Sequence, residues 1–290
     1  CLFVGFAAKA GAYPLHIWLP KAHPVAPAPA SALLSGILTK TGIFGILVIS
    51  CQILLHDEPW GAFILVIGVI TMFLGALLAV FSIDFKRTLA CSSVSQIGFI
   101  LIGVGMQGLL GEHNEIAIRG TVLHMVNHSL FKLVLFMAAG VIYMNIHKLD
   151  LNDIRCFGRK KPLLAFIYLM GALGIGGVPL WSGYISKTLL HEAIVEYIHE
   201  LQGAHVPEII FSVENMQVME WIFLISGGLT IAYMTKLFMA VFVEKNADES
   251  VQTKYDQMKT YMKPSSAAVL VIGAALFPIM GSLPYMTMDK

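Results

Sequence analysis

Eight apolar stretches, each long enough to cross a hydrocarbon layer, take up most of this chain: residues 1–18, 28–51, 61–82, 92–110, 119–145, 163–198, 216–243 and 265–284. A helix rises about 1.5 Å per residue, so about 20 apolar residues cover the roughly 30 Å of a bilayer interior. The connecting loops are mostly short and polar, with two longer ones at 199–215 and 244–264. No stretch remains for a soluble domain of useful size. The expectation is an all-α, polytopic membrane helix bundle, one transmembrane domain over residues 1–290. The sequence is 57% hydrophobic and 13% charged, whereas soluble domains are about 45–50% apolar and about 25% charged. A net charge of +1 gives no reason to expect nucleic acid as a partner.

The basic residues alternate from loop to loop. One side carries Lys21, Lys86, Arg87, Lys148, Arg155, Arg159, Lys160, Lys161, Lys245, Lys254, Lys259 and Lys263. Loops 52–60 and 199–215 carry none, leaving Arg119 at a helix edge and Lys290 in the tail on the other side. A missed helix would scramble this alternation. By the positive-inside rule the basic loops face the cytoplasm. The C-terminus then lies outside, and the chain is expected in the cell (inner) membrane as a multi-pass protein. It opens on Cys1 within an apolar run and reads as a fragment lacking its natural N-terminus. Cys1, Cys51, Cys91 and Cys156 form no CxxC pair, so iron–sulfur and structural zinc sites are not expected and the thiols read as small hydrophobes.

Two spans carry a proline near mid-membrane: Pro14 after Lys9-Ala-Gly-Ala-Tyr, and Pro179 after Gly174-Ile-Gly-Gly-Val. Proline removes a backbone donor and frees a carbonyl one turn back. In hydrocarbon those groups need another partner, so irregular backbone faces protein or water. Residues 163–198 are too many for one straight span, and a break near Pro179 is the simplest account. Paired breaks of this kind point to a transport path; a plain kink is the alternative at each.

Ionisable residues inside the spans are the chemistry-bearing feature. Lys40 lies about 11 residues from either end of its span, roughly 16 Å, too far for its stem to reach water. It must face protein or a hydrated cavity. Ser31, Ser35 and Thr39 make a hydroxyl stripe beside it, which would also serve close helix packing. His124, His128 and Lys132 recur at four-residue spacing, with Asn127 adjacent. Imidazole accepts and donates protons near neutral pH, and a buried lysine joins in when desolvation or a nearby cation weakens its hold. The rival reading is structural histidines bonded to a neighbouring helix. The His124/His128 spacing would suit a metal, but no zincin glutamate accompanies it. Lys187 follows the Pro179 break among Ser182, Gly183 and Ser186. Lys236 lies near a cytoplasmic end and reads as snorkelling. Asp84, Lys86 and Arg87 form a charged turn, either simply solvated or an ion pair at a channel mouth. Gly103-Val-Gly105-Met-Gln-Gly108 spells a dinucleotide fingerprint, but inside a membrane helix with no preceding strand it is coincidence.

Five blocks together resemble the antiporter-like proton-translocating subunits of respiratory complex I, Mrp sodium/proton antiporters and membrane hydrogenases. They are Ala8 to Leu19, Ser31 to Gly42, Asp84 to Gly98, His124 to Lys132, and Pro179 to Lys187. The resemblance covers nearly the whole chain, and the Trp18 to Pro24 stretch resembles hydrogenase-4 and formate-hydrogenlyase membrane subunits most. It implies about fourteen helices in two inverted repeats, of which this chain holds the last eight. The first repeat would end about 1–51, the second would occupy about 61–243, and the last helix about 265–284. It implies that Lys9 serves the first half-channel, that Lys40, Lys132, His124 and His128 link along a central polar axis, and that Lys187 ends the second half-channel. The glutamate that pairs with the Lys9-type lysine belongs to an earlier helix outside this chain.

The resulting expectation is a proton-moving subunit of a redox-driven respiratory or hydrogenase complex. It would have no catalytic centre, cofactor or metal of its own. Its partners would be other membrane subunits, a peripheral redox module, lipid, protons and in one variant sodium. The alternatives are a sodium/proton antiporter subunit without redox input and a purely structural membrane subunit.

Overall fold

A computed structural model describes residues 1–55, 57–203 and 210–283, and within them the chain is almost entirely helical. Six helical runs are long and apolar enough to cross a membrane: Ala28–Ile53, Glu58–Phe81, Phe85–Leu109, Glu115–Ile146, Val213–Val243 and Pro264–Ser282. The other two expected spans are the proline-broken ones. The first consists of α1 (Leu2–Ala10) and α2 (Trp18–Val25), the second of α8 (Pro162–Gly176) and α9 (Ser182–Gly203). Run Ala28–Ile53 contains α3 (Ala28–Leu33), a π turn over Leu34–Leu38, and α4 (Thr39–Val48). Then come α5 (Glu58–Phe81), α6 (Phe85–Leu109), α7 (Glu115–Ile146), α10 (Val213–Phe238), α11 (Glu249–Gln257) and α12 (Pro264–Ser282).

At both breaks protein side chains meet backbone groups left out of the regular helix, as hydrocarbon demands. At the first, Gly11 (φ 80°) ends α1 in the left-handed conformation, the Trp18 indole donates to the Ala8 carbonyl at 2.8 Å, and the Tyr13 amide donates to Thr71 Oγ1 at 3.0 Å. At the second, Gly177 (φ 76°) caps α8. Leu180 also lies at positive φ, 78°, a strained region for a residue with a side chain. The Lys187 ammonium donates to the Gly176 carbonyl at 3.4 Å, and Asn127 Nδ2 to the Ser182 carbonyl at 2.9 Å.

The basic loops form one end of the bundle. The Phe85 amide donates to the Leu149 carbonyl, Leu151 to Ile83, Cys156 to Ala240 and Gly158 to Val241. Lys161 Nζ bonds the carbonyls of Phe157 and Tyr255, and burial pushes its ammonium below the usual lysine range. Loop segments far apart in the sequence therefore touch in space. Lys290 and residues 204–209 of the loop at 199–215 lie outside the described residues.

Three local expectations need revising. Helix α6 begins at Phe85, seven residues before the expected 92, because the Asp84 carboxylate accepts the Arg87 amide at 2.7 Å and caps it. The loop at 244–264 holds the short helix α11, capped by Asp248, where a polar loop carried no apolar period to announce it. Lys236 does not simply reach for water: its ammonium donates to the Ala79, Val80 and Ser82 carbonyls at 3.0, 2.7 and 2.7 Å. It thus closes the C-terminus of α5, where a cation opposes the helix dipole.

The α6 cap gives a first prediction. Asp84→Ala should cost about 1 kcal/mol of stability, the usual worth of a lost N-cap. Asp84→Asn should cost little: asparagine caps equally well, and burial already pushes the Asp84 carboxyl up, against its charged form. Denaturant midpoints of the assembled parent complex check the order; equal midpoints for the alanine and asparagine variants would remove the cap from the account.

Candidate functional site

Helix α6 is the wall on which the site is built, because every residue of its apolar window is buried. Polar groups there cannot reach solvent and must find partners among neighbouring helices. Ser92, Ser93 and Gln96 do so. Ser93 Oγ meets Ser35 Oγ at 2.7 Å. Ser92 Oγ accepts from the Lys132 ammonium, which also donates to the Leu89 carbonyl at 2.8 Å. Gln96 Oε1 lies 3.1 Å from His124 Nε2, while its amide nitrogen faces Thr230 at 3.5 Å.

The α7 residues stand as their spacing predicts, His124, His128 and Lys132 on one buried face. His124 Nδ1 meets Ser186 Oγ of α9 at 2.9 Å. The two imidazoles stack with centroids 6.4 Å apart and planes 15° from parallel. His128 has no protein partner at either ring nitrogen, and Asn127 Oδ1, Ser95 Oγ and Ser182 Oγ are likewise buried without one. The charges of Lys40, Lys132 and Lys187 all lie within electrostatic reach of His128.

Lys40 is buried, and the π turn preceding it explains how. A π turn leaves a carbonyl out of the regular ladder. Here the Ser35 carbonyl accepts from both Lys40 Nζ at 2.5 Å and Thr39 Oγ1 at 3.0 Å. The hydroxyl stripe expected beside Lys40 is thus real, and Ser35 links it to α6. On the far side, Lys187 is buried against the Phe99 ring, its ammonium 4.8 Å from the centroid.

Lys9 is placed apart from this line. It is exposed, on the last turn of α1. The side chains of Asp84, Lys86 and Arg87 point to different partners: Asp84 caps α6, Arg87 is exposed, and Lys86 turns inward to the Ala26 carbonyl at 2.9 Å under the Tyr143 ring. Among the described residues Asp84 and Lys86 form no direct ion pair. Reasoning from sequence missed His23. It is fully buried, stacked on Phe136 with centroids 4.6 Å apart, and neither ring nitrogen has a protein partner. Its one signal was a histidine in a short segment bounded by Pro20 and Pro24. Gln96 and Ser92 were visible only as polar letters in an apolar run.

Comparison with known proteins adds to this geometry. Residues 1–211 match the family described as "NADH:quinone oxidoreductase/Mrp antiporter, TM". The chain is 41% identical to hydrogenase-4 component B of Escherichia coli (strain K12) over 193 residues, which is 64% of this chain and 29% of that protein. It is 31% identical over 279 residues to an Na(+)/H(+) antiporter subunit of Alkalihalophilus pseudofirmus, covering 95% of this chain and 52% of the relative. It therefore spans well under two thirds of these relatives. The fold superposes on a chain of the Mrp complex from Dietzia sp. DQ12-45-1b with a TM-score of 0.80 at 21% identity, over 98% of this chain and 56% of that one. The GxGxxG letters fall inside α6, where Gly105 and Gly108 lie against Gly61 of α5.

Proposed function

This chain belongs to the NADH:quinone oxidoreductase/Mrp antiporter membrane family, and from that premise we propose that it forms the proton-translocating part of a subunit in a redox-driven respiratory or hydrogenase complex. The observation that carries this reading is the buried line of Lys40, Lys132, His128, His124 and Lys187, carried on α4, α7 and α9 beside α6. Fully buried lysines are costly in a membrane interior, and an ionisable residue there is functional by default. Several of these lysines donate to main-chain carbonyls and none of the five residues has a carboxylate partner among the described residues. The line is thus made of groups that repel one another when charged, so a proton arriving at one favours departure from the next. Buried polar atoms without protein partners cost about 1–3 kcal/mol each unless water meets them. The cluster at Asn127, His128 and Ser182 therefore favours a hydrated link. In this reading Lys9 serves a first half-channel completed by other helices, and Asp84, Lys86 and Arg87 frame a mouth at the cytoplasmic, basic-loop end. Other membrane subunits and a peripheral redox module would be its partners in the cell membrane.

A second reading is supported by the likeness to an Na(+)/H(+) antiporter subunit over nearly the whole chain. There the same line would exchange protons for sodium without an electron donor.

The test uses the intact parent complex in proteoliposomes. Lys187→Met should reduce dye-reported proton uptake at least about tenfold, a loss of about 1.4 kcal/mol in the conducting step, with assembly and electron transfer retained. Dependence of wild-type uptake on an electron donor supports the first reading, and on a sodium gradient the second. Unchanged uptake would make Lys187 structural and sink both.

A further inference from the structure

A cavity of about 390 Å³ opens at the basic-loop end, between α2 and the turn joining α5 to α6. None of the lysines and histidines of the buried line borders it. Its polar residues include Lys21, Arg87 and His16; its apolar wall includes Ile17, Phe81 and Ile83. Lys21 and Arg87 are exposed, and neither side chain has an acidic partner among the described residues. Asp84, the acid of this turn, has its carboxylate on the Arg87 amide instead. His16 is buried in the wall, with Nδ1 lacking a protein partner.

Two features restrict what can sit here. The cations call for an anion. The apolar wall is exposed: Phe81 is 79% exposed, Ile83 63% and Ile17 58%. A soluble anion would meet the cations and leave those side chains uncovered. A phosphodiester carrying acyl chains meets both. We propose that this cleft binds the headgroup phosphate of an anionic phospholipid, with Lys21 and Arg87 on the phosphate and the acyl chains beside Ile17 and Phe81. Basic pockets between membrane helices at the cytoplasmic side take such headgroups by the same balance of charge and apolar surface. The inference rests on the membrane reading above and is independent of whether the buried line conducts.

The experiment uses the intact parent complex in phosphatidylcholine vesicles doped with photoreactive phosphatidylglycerol, with cross-linked peptides mapped by mass spectrometry. Label should fall on residues 13–25 and 78–91. The double variant Lys21→Gln/Arg87→Gln should weaken it about 30-fold, the combined effect of two basic groups at an anionic lipid surface, with assembly and labelling elsewhere unchanged. Equal labelling by a photoreactive phosphatidylcholine would reduce the cleft to an apolar surface. Displacement by inorganic phosphate would make it a soluble-anion site, and a protein cross-link in place of lipid would make it a subunit interface; each overturns the proposal. Lost proton uptake in the Lys187 variant with lipid labelling intact, or weakened labelling with uptake intact in Lys21→Gln alone, keeps the two readings separable.

Discussion

Lys132→Met in the assembled complex should abolish proton uptake, by at least about 100-fold, while leaving the subunit in place. Lys132 is fully buried in the middle of α7, and its ammonium bonds the Leu89 carbonyl and the Ser92 hydroxyl, both on α6. Methionine matches the lysine stem in length and packs as readily in a core, so the helix contacts survive and only the titratable group disappears. Two lost pKa-sized steps of about 1.4 kcal/mol each correspond to that factor. Lys132→Arg sharpens the result. Guanidinium keeps the positive charge but does not release a proton in proteins. If the charge merely holds α6 to α7, arginine should do better than methionine; if the group passes protons, both variants should fail. A variant that assembles and pumps normally with methionine at 132 would remove Lys132 from the path. One that fails to assemble with methionine but assembles with arginine would favour a structural role.

The legible part of this protein was the part governed by long-range regularity. Span count follows from hydrocarbon thickness, and the common side of the basic loops follows from their charge. Hydrogen bonds such as Lys161 to Tyr255 and Phe85 to Leu149 join those loops directly. The two breaks were legible because proline cannot donate, and the four-residue spacing of His124, His128 and Lys132 needs only helix geometry. What escaped was set by single contacts. The π turn that exposes the Ser35 carbonyl to Lys40 has no letter of its own, because its five residues, Leu34 to Leu38, look like ordinary helix. Gln96 became a bridge between His124 and Thr230 only because α6 is buried on all sides, and burial on all sides depends on which helices surround it. Lys236 was misread for a related reason. Its depth allowed water, but the free carbonyls of α5 lie nearer.

The same central burial of α6 predicts the largest effect on assembly. Gly98→Ala should destroy the packed bundle, although it adds one methyl group. Along the α5–α6 contact the chain supplies glycine where the backbones meet: Gly61 and Gly105 approach with an added Cβ on Gly61 2.8 Å from the Gly105 carbonyl oxygen, and one on Gly68 would lie 2.8 Å from the Ile102 amide. At Gly98 the conflict is worst, since a Cβ would press into the Met72 backbone nitrogen and Cα. Backbone atoms cannot rotate out of the way, so α5 and α6 must separate, and close approach through small residues is what holds membrane helices together when no hydrophobic force acts between them. Overpacking costs about 1–3 kcal/mol where side chains can shift, and more is expected here. Gly227→Ala is the control. Nothing lies within 4 Å of its added Cβ, and alanine is favoured over glycine in a helix by about 1 kcal/mol, so this variant should assemble at least as well as wild type. Blue-native gels of the parent complex distinguish the cases: loss with Gly98→Ala and none with Gly227→Ala places the α5–α6 seam at the centre of the fold. Normal assembly of both would mean that the two helices have room to part, and that the buried polar groups of α6 are not held as tightly as the proton line requires.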